Sequence, residues 1–130
     1  MTEKQKEQCG RIIDKTAMAA GCCNLVPMPA VGAVADYGMF TAMTISLAKV
    51  FGQSLTEAAA RGIALAAIKR LAARFVIGCF AREFGRLAPL VGPIVSGSLS
   101  FAMARTVGWW IAGELSRRTI CAAQARVANK

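Results

Sequence analysis

The sequence predicts an all-α domain of four to five helices, arranged as two packed helical hairpins with small-residue interfaces. Three observations predict it. Apolar residues recur at three-and-four spacing, and strand-like alternation is absent. Alanine is abundant while β-branched residues are scattered. Proline and glycine gather in a few breaks, "CCNLVPMP", "FGQS" and "LAPLVGP", which divide the chain into helix-length pieces. At 130 residues the chain has one domain's length and can bury a core, so residues 1–130 are read as a single domain.

Residues 2–21 read as an amphipathic N-terminal helix. Glu3, Lys4, Lys6, Glu7, Arg11, Asp14 and Lys15 occupy one side, and Cys9, Ile12, Ile13, Thr16, Ala17 and Ala20 share the other, with Gly21 as its stop. Pro27 and Pro29 make the break that follows, because proline turns its preceding residue away from helix. A second helix, apolar nearly all round, is expected from about Ala30 to Phe51, with Gly52 ending it. In "SLTE", Ser54 stands three residues before Glu57, the spacing of a capping box that opens a third helix at Leu55. That helix runs to about Gly78, or on to Gly85 with a kink. The last helix starts near Ile94 and runs past Ser116, with residues 119–130 expected to fray. Residues 25–44 also echo 87–106, through Leu25/Leu87, Pro27/Pro89, Ala42/Ala104 and Thr44/Thr106, as if two related hairpins followed one another.

Hydrophobic residues make up 55% of the chain and charged residues 18%, against roughly 45–50% and about 25% in an average soluble domain. That excess points toward membrane association or buried oligomer interfaces. Sixteen Lys+Arg face seven Asp+Glu, a net charge of +9, which favours anionic partners or serves to keep an apolar chain in solution. The five cysteines are odd in number, form no CxxC pair and follow no secretory leader. A reducing, cytosolic setting with free, core-packed thiols is the simplest expectation. The chain has no histidine and no GxxxxGK[ST] loop. Histidine-dependent nucleophile pairs are thereby excluded, and the scattered cysteines and acids offer little to a metal. No catalytic residue, metal or cofactor is expected, and the chain reads as a non-enzyme.

Several constellations remain. Gly92, Ser96, Ser100, Ala104, Gly108 and Ala112 recur every four residues and form one small-residue row on the last helix. Such a row lets another backbone come close, in water or in lipid, and is read as a helix-packing surface that favours a homo-oligomer or a tight assembly. Ala58, Gly62 and Ala66 make a shorter row on the third helix. Arg70, Arg74, Arg82 and Arg86, beside Leu71, Phe75, Val76, Ile77 and Phe80, form a basic face next to an apolar one, which suits an anionic lipid surface or is a solvated bundle face. Trp109 and Trp110 serve as interface anchors or divide between core and rim. Asp36 is read as structural, holding the proline-broken turn near the positive end of its helix; the alternatives are a buried ion pair with Arg105 or another basic residue, and a proton-binding role. The apolar runs 16–35, 30–48 and 87–104 are near the roughly 20 residues that a bilayer crossing needs, yet each holds prolines or a charge. Nucleic acid is not an expected partner, since no recognised binding motif is present and one tyrosine offers little stacking.

Four pieces stand in a distinctive order: an entry Val26-Pro27-Met28-Pro29 with Asp36, a helix end Leu47-Ala48-Lys49-Val50-Phe51-Gly52, a next start Ser54-Leu55, and a closing segment from Pro89 to Gly108. In this order residues 17–118 resemble the YcjF-type family of bacterial helical domains. The resemblance implies a helical domain, often fused to or encoded beside a P-loop GTPase and in several members membrane-associated. A similar region follows the GTPase domain of immunity-related GTPases. The chain departs in having no GTPase domain and no long extra transmembrane pair, so a GTPase partner would act in trans. The family brings no catalytic residues. The expected function is therefore a non-enzymatic, self-associating protein on the cytoplasmic side of a membrane, peripheral or as an inserted hairpin. A soluble module that binds a GTPase or another protein comes second, and a pore-forming or membrane-disrupting protein third.

Overall fold

The computed structural model describes the backbone of residues 1–23, 29–86 and 92–128, and the side chains of residues 1–22, 37–71 and 97–125. The described chain is all-α and has four helices: α1 (Glu3–Cys23), α2 (Pro29–Val50), α3 (Glu57–Arg86) and α4 (Gly92–Ala128).

Local chemistry sets the helix ends. A capping box opens α1: the Thr2 amide donates to Gln5 Oε1 at 2.9 Å, and the Gln5 amide donates to Thr2 Oγ1 at 3.3 Å. Proline is favoured at a first helical position, where its missing N–H costs nothing, and α2 opens on Pro29. It closes in a Schellman motif. Gly52 takes φ +67°, its amide donates to the Lys49 carbonyl at 3.0 Å, and the Gln53 amide donates to the Ala48 carbonyl at 2.9 Å. The residue that caps α3 is Thr56, whose Oγ1 accepts the Ala59 amide at 3.3 Å. This corrects the expected Ser54–Glu57 box: Ser54 lies two residues before the cap and is exposed, and Glu57 is the first helical residue, paired with Arg61 one turn on. Leu55, the residue before the cap, packs against the core, which holds it outside the helix.

Several expected boundaries move. Gly21 does not stop α1, which continues to Cys23. A Cβ placed on Gly21 would lie 3.3 Å from the carbonyl oxygen of Gly97, so this glycine marks a close approach of α1 to α4. Helix α3 runs on to Arg86, through Gly78 and Gly85. Helix α4 remains helical to Ala128, where fraying was expected, and the side chains of residues 120–125 are all exposed. Asp36 stands about two turns into α2, beyond the first turn whose free amides and dipole would hold a carboxylate, so its expected capping role is not supported. Its side chain, and Pro27, lie outside the described residues.

The packing is up-down-up-down. Gly10 faces Trp109, Asp14 faces Arg105 and Gly21 faces Gly97, so α1 and α4 run antiparallel. Met43 meets Gly108, and ten residues further on Gln53 Nε2 reaches the Leu115 carbonyl at 3.3 Å and Thr119 Oγ1 at 2.6 Å, so α2 and α4 run parallel. Helices α2 and α4 form a diagonal that touches both other helices, while α1 and α3 do not meet among the described residues.

The core follows the helical period. Cys9, Ile13, Ala17 and Ala20 come from α1, and Phe40, Met43, Leu47 and Ala48 from α2. Ile63, Ala64, Ala67 and Leu71 come from α3, and Ala104, Val107, Ile111, Ala112 and Leu115 from α4. Burial of each large member contributes about 1.5–3 kcal/mol. The buried Thr44 hydroxyl donates to the Phe40 carbonyl at 2.8 Å, which removes the cost of an unpaired polar group. The two halves of the internal echo are not equivalent in the fold: Ala42 is exposed where Ala104 is buried, and Thr44 is buried where Thr106 is exposed. Among the described residues, no helix is long and apolar enough to cross a membrane.

Candidate functional site

The small-residue row of α4 faces the interior. Ala104 and Ala112 are fully buried and Gly108 is buried between α1 and α2, where an added Cβ would lie 2.8 Å from Ile13 Cγ1 and 3.2 Å from Met43 Sδ. Ser100 is half-buried, and the side chains at Gly92 and Ser96 lie outside the described residues. The shorter row on α3 faces out: Ala58, Gly62 and Ala66 are exposed, and nothing lies within 4 Å of a Cβ placed on Gly62.

The polar surface divides by side-chain type. Arginines take up most of the acid. Arg11 reaches Glu7 at 2.7 Å, Arg61 pairs with Glu57, and Arg117 and Arg118 both hold Glu114 at 3.2 Å. Arg105 Nε lies 3.1 Å from Asp14 Oδ1. That oxygen is itself covered, and the approach is too poorly aligned to be a hydrogen bond, so the pair is held by charge. Arg105 is therefore the partner of Asp14 on α1, a pairing the sequence reading missed when it offered Arg105 to Asp36. Lys4, Lys6, Lys15, Lys49 and Lys69 are exposed and have no acidic partner among the described residues. Arg70 is exposed, with its guanidinium carbon 6.0 Å from the centre of the half-buried Trp110 ring, so this tryptophan carries a surface cation. Arg74, Arg82 and Arg86 lie along α3, and their side chains are outside the described residues.

One open groove of about 380 Å³ lies between α2 and the start of α3, lined by Tyr37, Gly38, Thr41, Ala42, Ile45, Glu57 and Arg61. It offers one tyrosine hydroxyl, one threonine hydroxyl already donated to the Tyr37 carbonyl, and an ion pair whose members satisfy each other. No nucleophile with a base beside it is present there. Among the described residues no group of three His, Cys, Asp or Glu side chains is placed to hold a metal. Of the described cysteines, Cys9 is buried and Cys22 and Cys121 are exposed, all as free thiols. Burial raises the Cys9 thiol above its ordinary value, which makes it a poorer nucleophile at neutral pH. No family model, curated protein or solved structure matches the chain.

Proposed function

We propose that this chain is a non-catalytic helical protein that docks peripherally on anionic membrane surfaces. The carrying observation is the division of surface charge. Among the described residues most acids are neutralised by arginine, which leaves a set of exposed lysines without an acidic partner there, and the α3 arginine Arg70, as part of the surplus of a +9 chain. A lysine ammonium near an anionic leaflet contributes about 1 kcal/mol, and several together hold a protein at the surface without insertion. The resemblance of residues 17–118 to YcjF-type domains points the same way, because several of those are membrane-associated.

The test is flotation with phosphatidylcholine vesicles, with and without phosphatidylserine, over a salt series. Binding is expected only with the anionic lipid and is expected to fall as salt rises, since the Debye length shrinks from about 30 Å at 0.01 M to about 10 Å at 0.1 M. Reversal of Arg70, Arg74, Arg82 and Arg86 to Glu is expected to weaken it further. Absence of binding at low salt refutes the reading and returns the protein-binding module; binding that resists high salt and alkaline carbonate refutes the peripheral mode in favour of an inserted hairpin.

A further inference from the structure

Helix α4 outruns the bundle. Gln53 ties the α2–α3 turn to the Leu115 carbonyl and to Thr119 Oγ1, and beyond Thr119 the helix continues about 13 Å further, to Ala128. The side chains of residues 120–125 are all exposed, and Ile120 keeps 50% of its surface in solvent. The charge on this stretch is of one sign. From Leu115 to Lys130 the sequence holds Arg117, Arg118, Arg126 and Lys130 and no acid. Glu114 stands just before it and meets both Arg117 and Arg118 at 3.2 Å, but one carboxylate balances only one guanidinium. At 3.6 residues per turn Arg117 stands about 60° to one side of Ile120 and position 126 about 120° to the other. Arg118, on the far side of the helix from Ile120, keeps Glu114 paired when Arg117 turns away.

We propose that this projecting stretch, residues 117–128, is the element that lies on an anionic lipid surface, with Ile120 and Ala123 set at the headgroup boundary and Arg117 and Arg126 on phosphates to either side. The inference rests on the peripheral membrane reading above and names the part of the chain that makes the contact. Charge chooses the occupant. The same stretch of a second copy carries the same positive charge, and like charges in contact suppress association. The rest of a second copy offers it little, because Glu7, Asp14, Glu57 and Glu114 are each already held by an arginine. An anionic lipid surface answers both features of the stretch. Arginine stems lie along the apolar boundary with their heads among the phosphates, and the exposed isoleucine has apolar surroundings to enter. A nucleic acid answers only the charge, since residues 115–130 hold no aromatic ring on which a base could stack.

Protection of Cys121 reads the contact in the unaltered chain. A water-soluble alkylating reagent is applied with and without phosphatidylcholine vesicles that contain phosphatidylserine, and the reaction is followed at each cysteine by peptide mass. Cys121 is exposed beside Ile120, and Cys22 is exposed at the opposite end of the bundle, since α1 and α4 run antiparallel. Vesicles are expected to slow alkylation of Cys121 severalfold and to leave Cys22 unchanged. Flotation supplies the second readout. Arg117→Gln with Arg126→Gln is expected to weaken vesicle binding roughly 30-fold, about 5-fold for each charge removed, with unchanged helical circular dichroism. Lys15→Gln with Lys69→Gln, the same loss of charge from the bundle surface, is expected to weaken it less. A parent chain that does not float overturns the membrane reading and this inference with it. A chain that floats while Cys121 reacts as fast as in water, or whose two double variants weaken alike, overturns this inference alone. Protection of Cys121 by single-stranded RNA and not by vesicles overturns it in favour of nucleic acid.

Discussion

Replacement of Gly108 by alanine adds one methyl group to α4, 2.8 Å from Ile13 Cγ1, 3.0 Å from Ile13 Cγ2 and 3.2 Å from Met43 Sδ. Ile13 is fully buried and Met43 nearly so, so neither can swing into solvent to make room. Overpacking of this kind costs about 1–3 kcal/mol. Against it, alanine is favoured over glycine within a helix by about 1 kcal/mol. The net loss at Gly108 is therefore about 0–2 kcal/mol, too small a figure to interpret alone. Gly113 supplies the control. It lies on the same helix, five residues on, and nothing lies within 4 Å of a Cβ placed there. Gly113→Ala is expected to stabilise by about 1 kcal/mol through propensity alone. The difference between the two variants cancels propensity and isolates the packing cost. In urea, followed by circular dichroism, their midpoints are expected to differ by roughly 0.5–2 M, with Gly108→Ala the lower. Equal midpoints would show that α4 does not press on α1 and α2 at this point, and the interior placement of the small-residue row would be wrong.

Two further outcomes follow from local chemistry. Thr56→Ala is expected to cost about 0.5–2 kcal/mol of unfolding free energy, while Ser54→Ala costs less than about 0.5; the reverse order in urea unfolding would restore the Ser54 cap. Cys9 is expected to react with a thiol reagent far more slowly than Cys22 and Cys121, at a rate set by unfolding, because it is buried and its thiol is held protonated. Its raised value also gives a sign for pH: above about 9.0 the unfolded thiol ionises before the folded one, so this group's contribution to stability falls as pH rises, and a gain there would contradict its burial.

The helices were legible in the sequence because their punctuation is local. Gly52 needed only its own backbone to end α2, and Cys9, Ile13, Ala17 and Ala20 declared the inner face of α1 by spacing alone. The Thr56 cap was missed because "SLTE" satisfies the capping-box spacing, and what rejects it is the packing of Leu55 against residues far away. The small-residue rows showed that backbones come close without showing which row turns inward. A discriminating signal was present: Val107, Ile111 and Leu115 lie beside the α4 row, whereas the next step of the α3 row falls on Arg70, a charge that no core tolerates unpaired. The Asp14–Arg105 pair has no local signature at all, since it depends on the first helix lying against the last.

That same arrangement shapes how the protein comes into being. On a ribosome α1 emerges before the other three helices, and its apolar stripe has neighbours in α2 and α4. The residues of α4 that close over it are made about 90 residues later, so at roughly 5–20 residues per second the stripe waits on the order of 5–20 s for the larger part of its cover. During that interval the nascent chain presents Ile13 and its companions to whatever hydrophobic surfaces are nearby, including other nascent copies. A message truncated before Gly108 would yield a chain that cannot finish its fold at all, since the missing part is the wall against which the first helix is built.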